Sequence, residues 1–247
     1  VELGAGFSIA GGVAQVVAQN LSGAAASDSL LPPVRSDYAL YAEEGRNLAV
    51  TSLYAERIWS VAPDVFARAT AGYLEPMFAG VSGEILWRPH DRPFGIGLDV
   101  NYVAQRDYDQ RFGLRDYRVT TGQVSLYLDL PWWNLTTTLR GGRYLAGDWG
   151  GTVEIARRFD SGIEVGAFAT LTSASYAEFG EGSFDKGIFI RVPLDLFGLR
   201  TRSNVGAVIR PVQRDGGQRL AVENPLWEVT RQGREEALQR GVAWFTR

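Results

Sequence analysis

Ten or so short segments of this chain alternate apolar with polar residues, and their connections alternate short with long. The clearest is Phe94-Gly95-Ile96-Gly97-Leu98-Asp99-Val100-Asn101-Tyr102. Phe94, Ile96, Leu98, Val100 and Tyr102 share one face of an extended strand, and Gly95, Gly97, Asp99 and Asn101 share the other, because strand side chains alternate with period two. One face is oily and the other wet. A soluble two-sheet sandwich offers such a pattern too. Aromatic residues at the strand ends and the tight-turn/long-loop rhythm favour an outer-membrane β-barrel, whose apolar residues face lipid and polar ones the lumen.

The punctuation by Gly, Pro and Asp sets the expected strands. They run over 3–20, 46–60, 65–73, 78–88, 94–105, 117–128, 133–144, 150–159, 163–171, 186–193, 203–210 and 218–227. The expected architecture is an all-β, antiparallel up-and-down transmembrane barrel of about twelve strands, spanning residues 1–230. Residues 231–247 are expected as a periplasmic extension, which reads equally as a short helix over Glu235–Arg240 with a stripe of Leu238, Val242 and Phe245 or as a frayed end. Connections after the second, fourth, sixth and eighth strands are tight, and those after the first, fifth and ninth are long, which places both termini on the periplasmic side. Trp59, Trp87, Phe94, Trp132, Trp133 and Phe159 fall at the short-turn ends. Tyr73, Tyr102, Tyr117, Tyr144 and Trp149 fall at the long-loop ends. Two rows of amphipathic rings match two membrane interfaces.

Composition narrows the function classes. The 247 residues are 45% hydrophobic and 21% charged, with mean hydropathy −0.10. No run of about 20 apolar residues exists, so a transmembrane helix is excluded. A net charge of −3 argues against nucleic acid. The absence of cysteine excludes disulfides and thiolate metal sites, and no cofactor motif is present. The chain opens on Val1 without a leader pattern, as expected of a fragment or a processed product. The single histidine, His90, sits in a predicted turn between prolines. A Ser–His hydrolase would need it beside a serine on the wall, so no enzymatic role is expected.

The inward faces are expected to carry Arg68, Glu84, Asp99, Arg140, Glu154, Glu164 and Arg191. Ile96, Leu98, Val100, Leu126, Leu128, Ile155 and Val165 are expected to face lipid. The inward charges read equally as a polar conduit or as a network holding the wall in shape. The loops from Arg106 to Asp116 and from Thr172 to Asp185 interleave charge with aromatics, which suits sugar binding. Self-paired charge is the commoner reason for such loops. They are expected to fold over the mouth, with Arg106, Arg111 and Arg115 paired to Asp107, Asp116, Glu181 or Asp185. Candidate ligand contacts are Arg106, Tyr108, Arg111, Arg115 and Phe184 in the loops, and Glu84, Asp99, Arg140 and Glu154 in the lumen.

Five motifs carry a family resemblance. They are Phe78–Glu84, Gln105–Tyr117, Gly142–Asp148, Glu178–Gly187 and Arg214–Leu220. In order along residues 31–220, they resemble the YjbH/GfcD-type exopolysaccharide biosynthesis proteins. The resemblance implies the C-terminal part of a longer outer-membrane barrel lipoprotein, working with exopolysaccharide or capsule secretion partners. No lipidated cysteine is present to carry an anchor, and no catalytic residue is implied. The expected function is therefore export or surface assembly of polysaccharide at the outer membrane, in contact with lipid, polymer, and other secretion proteins or a missing N-terminal part of the same protein. The alternative is a non-conducting barrel that anchors periplasmic partners.

Overall fold

The computed structural model describes residues 2–17, 28–45, 48–180, 184–193, 204–211 and 214–231. Twelve antiparallel strands follow one another as neighbours in a single meander. They are β1 (Glu2–Gly4), β2 (Phe7–Ala14), β3 (Ala49–Ala62), β4 (Val65–Tyr73), β5 (Phe78–Trp87), β6 (Phe94–Arg106), β7 (Leu114–Leu130), β8 (Leu135–Arg143), β9 (Trp149–Arg158), β10 (Glu164–Thr172), β11 (Asp185–Pro193) and β12 (Asn204–Ile209). Three short helices accompany them: α1 (Tyr38–Glu44), α2 (Tyr176–Phe179) and α3 (Leu226–Arg231). No described helix is long and apolar enough to cross a membrane.

Two strands depart from the sequence reading. The segment expected as one strand over 3–20 is a hairpin, turned at Ala5-Gly6 into β1 and β2. The Gly11-Gly12 pair lies inside β2, where the register to β3 shifts between Gly12 and Val13. The last expected strand, 218–227, pairs with no strand among the described residues. It runs across one face of the sheet and ends in α3. The count of twelve thus results from one split and one loss. The sheet's edge strands, β1 and β12, are not paired to each other, so a closed barrel is not seen among the described residues. The expected helix over 235–240 lies outside the described residues.

The sheet is concave. Side chains from β3 through β11 reach the same crossing segment, 214–231. Glycines help to bend it, as kinks do in curved sheets. Gly72 and Gly80 face each other across β4 and β5 with φ of +138° and +153°. A Cβ at Gly80 would stand 2.2 Å from the Tyr102 carbonyl oxygen, so the strands close up there only without a side chain.

Short turns at Pro63-Asp64, 88–93, Pro131–Asn134 and 159–163 gather at one end of the sheet. The segments 28–45, 74–77, 107–113, 144–148 and 173–180 gather at the other. Arg231 reaches the short-turn end with α3, where the C-terminal side was expected. Glu2 does not: it aligns through Ser8 with Glu56, at mid-height of β3.

Candidate functional site

The concave face is polar and crossed by paired charge. Arg68 on β4 donates to Glu84 on β5 at 3.1 Å and to Thr70 at 2.9 Å, and Thr70 donates to Glu56 on β3. Further round, Arg140 donates to Glu154 at 3.1 Å, and Arg191 spans Glu154 and Glu164. These partners face one another because the register sets them opposite: Arg68 against Glu84, and Glu164 against Arg191.

Residues 214–231 thread this face from the loop end to the turn end, as a plug held mainly by wall side chains. At the top, Gly217 N–H donates to Asp148 at 2.8 Å and the Gln218 amide donates to Asp185 at 3.1 Å. Below, Ala221 N–H donates to Glu75 at 2.9 Å, the Asn224 amide to Glu56 at 2.8 Å, and Leu226 N–H to Glu84 at 3.1 Å. Wall carboxylates thus satisfy backbone donors that a strand would satisfy with carbonyls. Leu220 packs into a core of Tyr54, Leu74, Phe78, Val103, Val119 and Leu145. At the bottom, Trp227 stacks on Tyr127 with ring centroids 4.4 Å apart, and the Arg88 guanidinium lies 3.5 Å over its ring. Gly95 makes room, since a Cβ there would stand 2.8 Å from the Trp227 ring. Arg231 closes the run with a 2.7 Å bond to Glu164.

The loop end is latched. Asp215 is fully buried, and its Oδ1 accepts N–H bonds from Val34, Arg35 and Ser36 at 2.8, 2.8 and 2.9 Å. Arg214 pairs with Asp28, and Leu30 N–H donates to the Glu178 carbonyl. Phe179 is buried against Gly216. The sequence motifs at Gly142–Asp148, Glu178–Gly187 and Arg214–Leu220 therefore meet at one place.

The expected loop residues take these positions. Arg106 is fully buried, and its guanidinium donates to the carbonyls of Glu75, Val50, Gln110 and Arg111 at 2.7–2.9 Å. It meets backbone rather than the expected carboxylates, and it is out of a ligand's reach. Arg115 lies over the Tyr108 ring at 4.1 Å and pairs with Asp37 at 3.8 Å, an acid the sequence reading did not name. Tyr108 also packs edge-on against Tyr41 of α1. At Arg111 it is the backbone N–H that bonds Asp109. Phe184 carries the Lys186 ammonium 3.9 Å over its ring, and Glu181 lies outside the described residues. Glu84, Asp99, Arg140 and Glu154 all lie on the concave face, while Ile96, Leu98, Val100, Ile155 and Val165 are exposed on the convex one. His90 sits in its exposed turn, 3.3 Å from Asp64. The sequence reading missed the plug and its anchors Asp215, Asp148 and Trp227.

The plug fills the side of the concave face under β3–β7. Against β8–β12 it leaves a cavity of about 590 Å3. Six guanidinium groups and five carboxylates line it, with Thr138, Thr152, Thr170 and Phe168 between them.

Burial raises Asp37 and Asp148 above the usual carboxylate range, and the nearby Asp215 adds to the rise in both. Arg115 and Tyr108 oppose it at Asp37, and the Gly217 N–H and Thr172 oppose it at Asp148. A carboxyl raised in the fold holds its proton more tightly there than in the unfolded chain. Its contribution is complete below the unfolded value of 3.8 and is lost as pH climbs through the raised folded value. Amide exchange at Val34–Ser36 and Gly217 should therefore slow as pH falls from neutrality toward 4, after correction for intrinsic rates. Asp148→Asn should flatten the dependence; an unchanged slope in that variant would assign it elsewhere.

A family model described as "Exopolysaccharide biosynthesis protein YbjH" matches residues 1–232. The chain is 41% identical over 208 residues to an "Uncharacterized lipoprotein YjbH" of Escherichia coli strain K12, covering 82% of this chain and 30% of that protein. It thus spans about a third of that relative's length. No solved structure matches.

Proposed function

This chain belongs to the YjbH family of exopolysaccharide biosynthesis proteins, and from that premise we propose that it is a plugged outer-membrane barrel unit of polysaccharide export or surface assembly. Membership carries a general role in exopolysaccharide processes. The finer reading rests on one observation: the sheet is inside-out. Its concave face holds the buried ion pairs, while its convex face exposes Val81, Ile85, Leu98, Val124, Val153 and Ile188 at 43–56%. Soluble proteins rarely show so continuous an apolar surface, whereas a barrel in lipid requires one. Trp87, Trp132, Trp133 and Phe159 are exposed near the turn end, and Tyr102, Trp149 and Tyr176 near the loop end, as two interfacial girdles would be. The E. coli relative is named a lipoprotein, which supports an envelope location. Closing the barrel joins the edges at β1–β2 and β12. His90, exposed in its turn, has no role in this reading, and no enzymatic activity is proposed.

The folded chain should need detergent and should migrate differently on a gel before and after boiling. A monomer soluble without detergent sinks the barrel. In the membrane, Leu98→Arg should cost about 2–4 kcal/mol in a urea titration, and Asp99→Arg far less. Equal costs would reverse the assignment of faces.

The plug favours the non-conducting reading over a permanently open conduit. Planar bilayers holding the chain should show no steady current, and deleting residues 214–231 should produce one. A steady current through the intact chain would overturn the plug. Unchanged surface polymer in a deletion strain would remove the export role.

A further inference from the structure

Within the cavity, one positive charge is left over. Arg191, Arg231, Arg140 and Arg210 each have a carboxylate within 4 Å, namely Glu154 or Glu164 for the first three and Asp185 for the last. Arg35 pairs with Glu75. Arg219 has no ion pair among the described residues. Its backbone carbonyl is fixed by Arg35 at 2.8 Å, so its position on the plug is set while its guanidinium stands free. The side chain is reachable by water, yet Arg140, Asp99, Glu154 and Tyr127 surround it. It occupies interior space rather than the outer surface.

A second observation points the same way. Arg140 is nine-tenths buried, is held through Nη1 to Glu154, and leaves its Nε–H without a partner. Two guanidinium groups thus border one space, one wholly unpaired and one partly. Guanidinium forks match carboxylates and phosphates in geometry. The remaining lining suits a sugar: Thr138 offers a hydroxyl and the half-buried Phe168 an apolar face, while the Thr152 and Thr170 hydroxyls are bonded to each other and to Tyr144.

We propose that the cavity binds an acidic sugar, a hexuronate whose carboxylate sits between Arg219 and Arg140. The inference rests on the role in polysaccharide handling and specifies its substrate class. A polymer with a charged residue at intervals would be caught beside the plug.

The test is calorimetry on the detergent-folded full chain at low salt. Three probes are compared: a glucuronate-containing tetrasaccharide, its carboxyl-reduced counterpart, and inorganic phosphate. The acidic sugar should bind, and the reduced sugar at least about 10-fold more weakly, since a charge-assisted fork is lost. Arg219→Gln should weaken the acidic sugar by a similar factor while leaving the urea midpoint unchanged, because the side chain holds no part of the fold. Should that variant fold poorly, a salt titration of the unaltered chain serves instead, with affinity falling as salt screens the carboxylate. Equal binding of the reduced sugar, an unaffected Arg219→Gln, or salt-independent affinity overturns the site. Phosphate binding as tightly as the sugar reduces it to a simple anion hole and overturns the sugar. Heat-modifiable migration of the same sample reports the barrel independently, so failure of the site and failure of the barrel are told apart.

Discussion

Asp215→Ala should cost about 3–5 kcal/mol and release the loop end of the sheet. Three backbone N–H groups, from Val34, Arg35 and Ser36, converge on one fully buried oxygen. Removing it leaves all three without an acceptor, and each buried orphan costs about 1–3 kcal/mol. Asp215→Asn keeps an acceptor oxygen and should lose less than half as much. Urea midpoints measure the cost, and amide exchange locates it. An alanine variant within about 0.5 kcal/mol of the parent would show that the latch contributes nothing. The same variant should also speed exchange at Gly217 and Leu145, since Leu145 N–H bonds the Gln218 carbonyl on the freed segment.

The strands were legible because period-two alternation is a local property. β4 matches its expected bounds residue for residue, and β5, β6, β9 and β10 fall within a residue or so at each end. The facing of Leu98 and Asp99 followed from the same alternation. Residues 218–227 were misread for a physical reason. An extended segment alternates its side chains whether or not its backbone joins a ladder, and Leu220 and Val222 fit that pattern. What separates plug from strand is the partner of Ala221 and Leu226 N–H, and those partners are Glu75 and Glu84, 146 and 142 residues away. Pro225 was the signal available, since proline is poorly tolerated inside a strand. Arg106 was misjudged similarly. Its acidic neighbours Asp107 and Asp116 suggested ion pairs, but its acceptors are main-chain carbonyls at the start of β3 and in two separate connections, which carry no mark in the sequence.

Arg106→Met should destabilise the chain by about 3–5 kcal/mol, with the damage centred on the loop end. The guanidinium ties Val50 at the start of β3 and Glu75 between β4 and β5 to Gln110 and Arg111 between β6 and β7. It also lies 4.9 Å over the Tyr73 ring. Four carbonyls would lose a charged donor in a place closed to water. Methionine fills much of the volume, so the loss reports hydrogen bonding more than packing. Arg106→Lys keeps the charge but not the planar fork, so it should recover only part of the stability. Chymotrypsin should cut at Tyr108 or Phe112 in the methionine variant while sparing the parent. The competing role, direct contact with polymer, makes the opposite demand. There the variant would melt like the parent and lose only sugar binding. Stability and cleavage unchanged, with sugar affinity reduced, would return Arg106 to the ligand site and take it out of the latch.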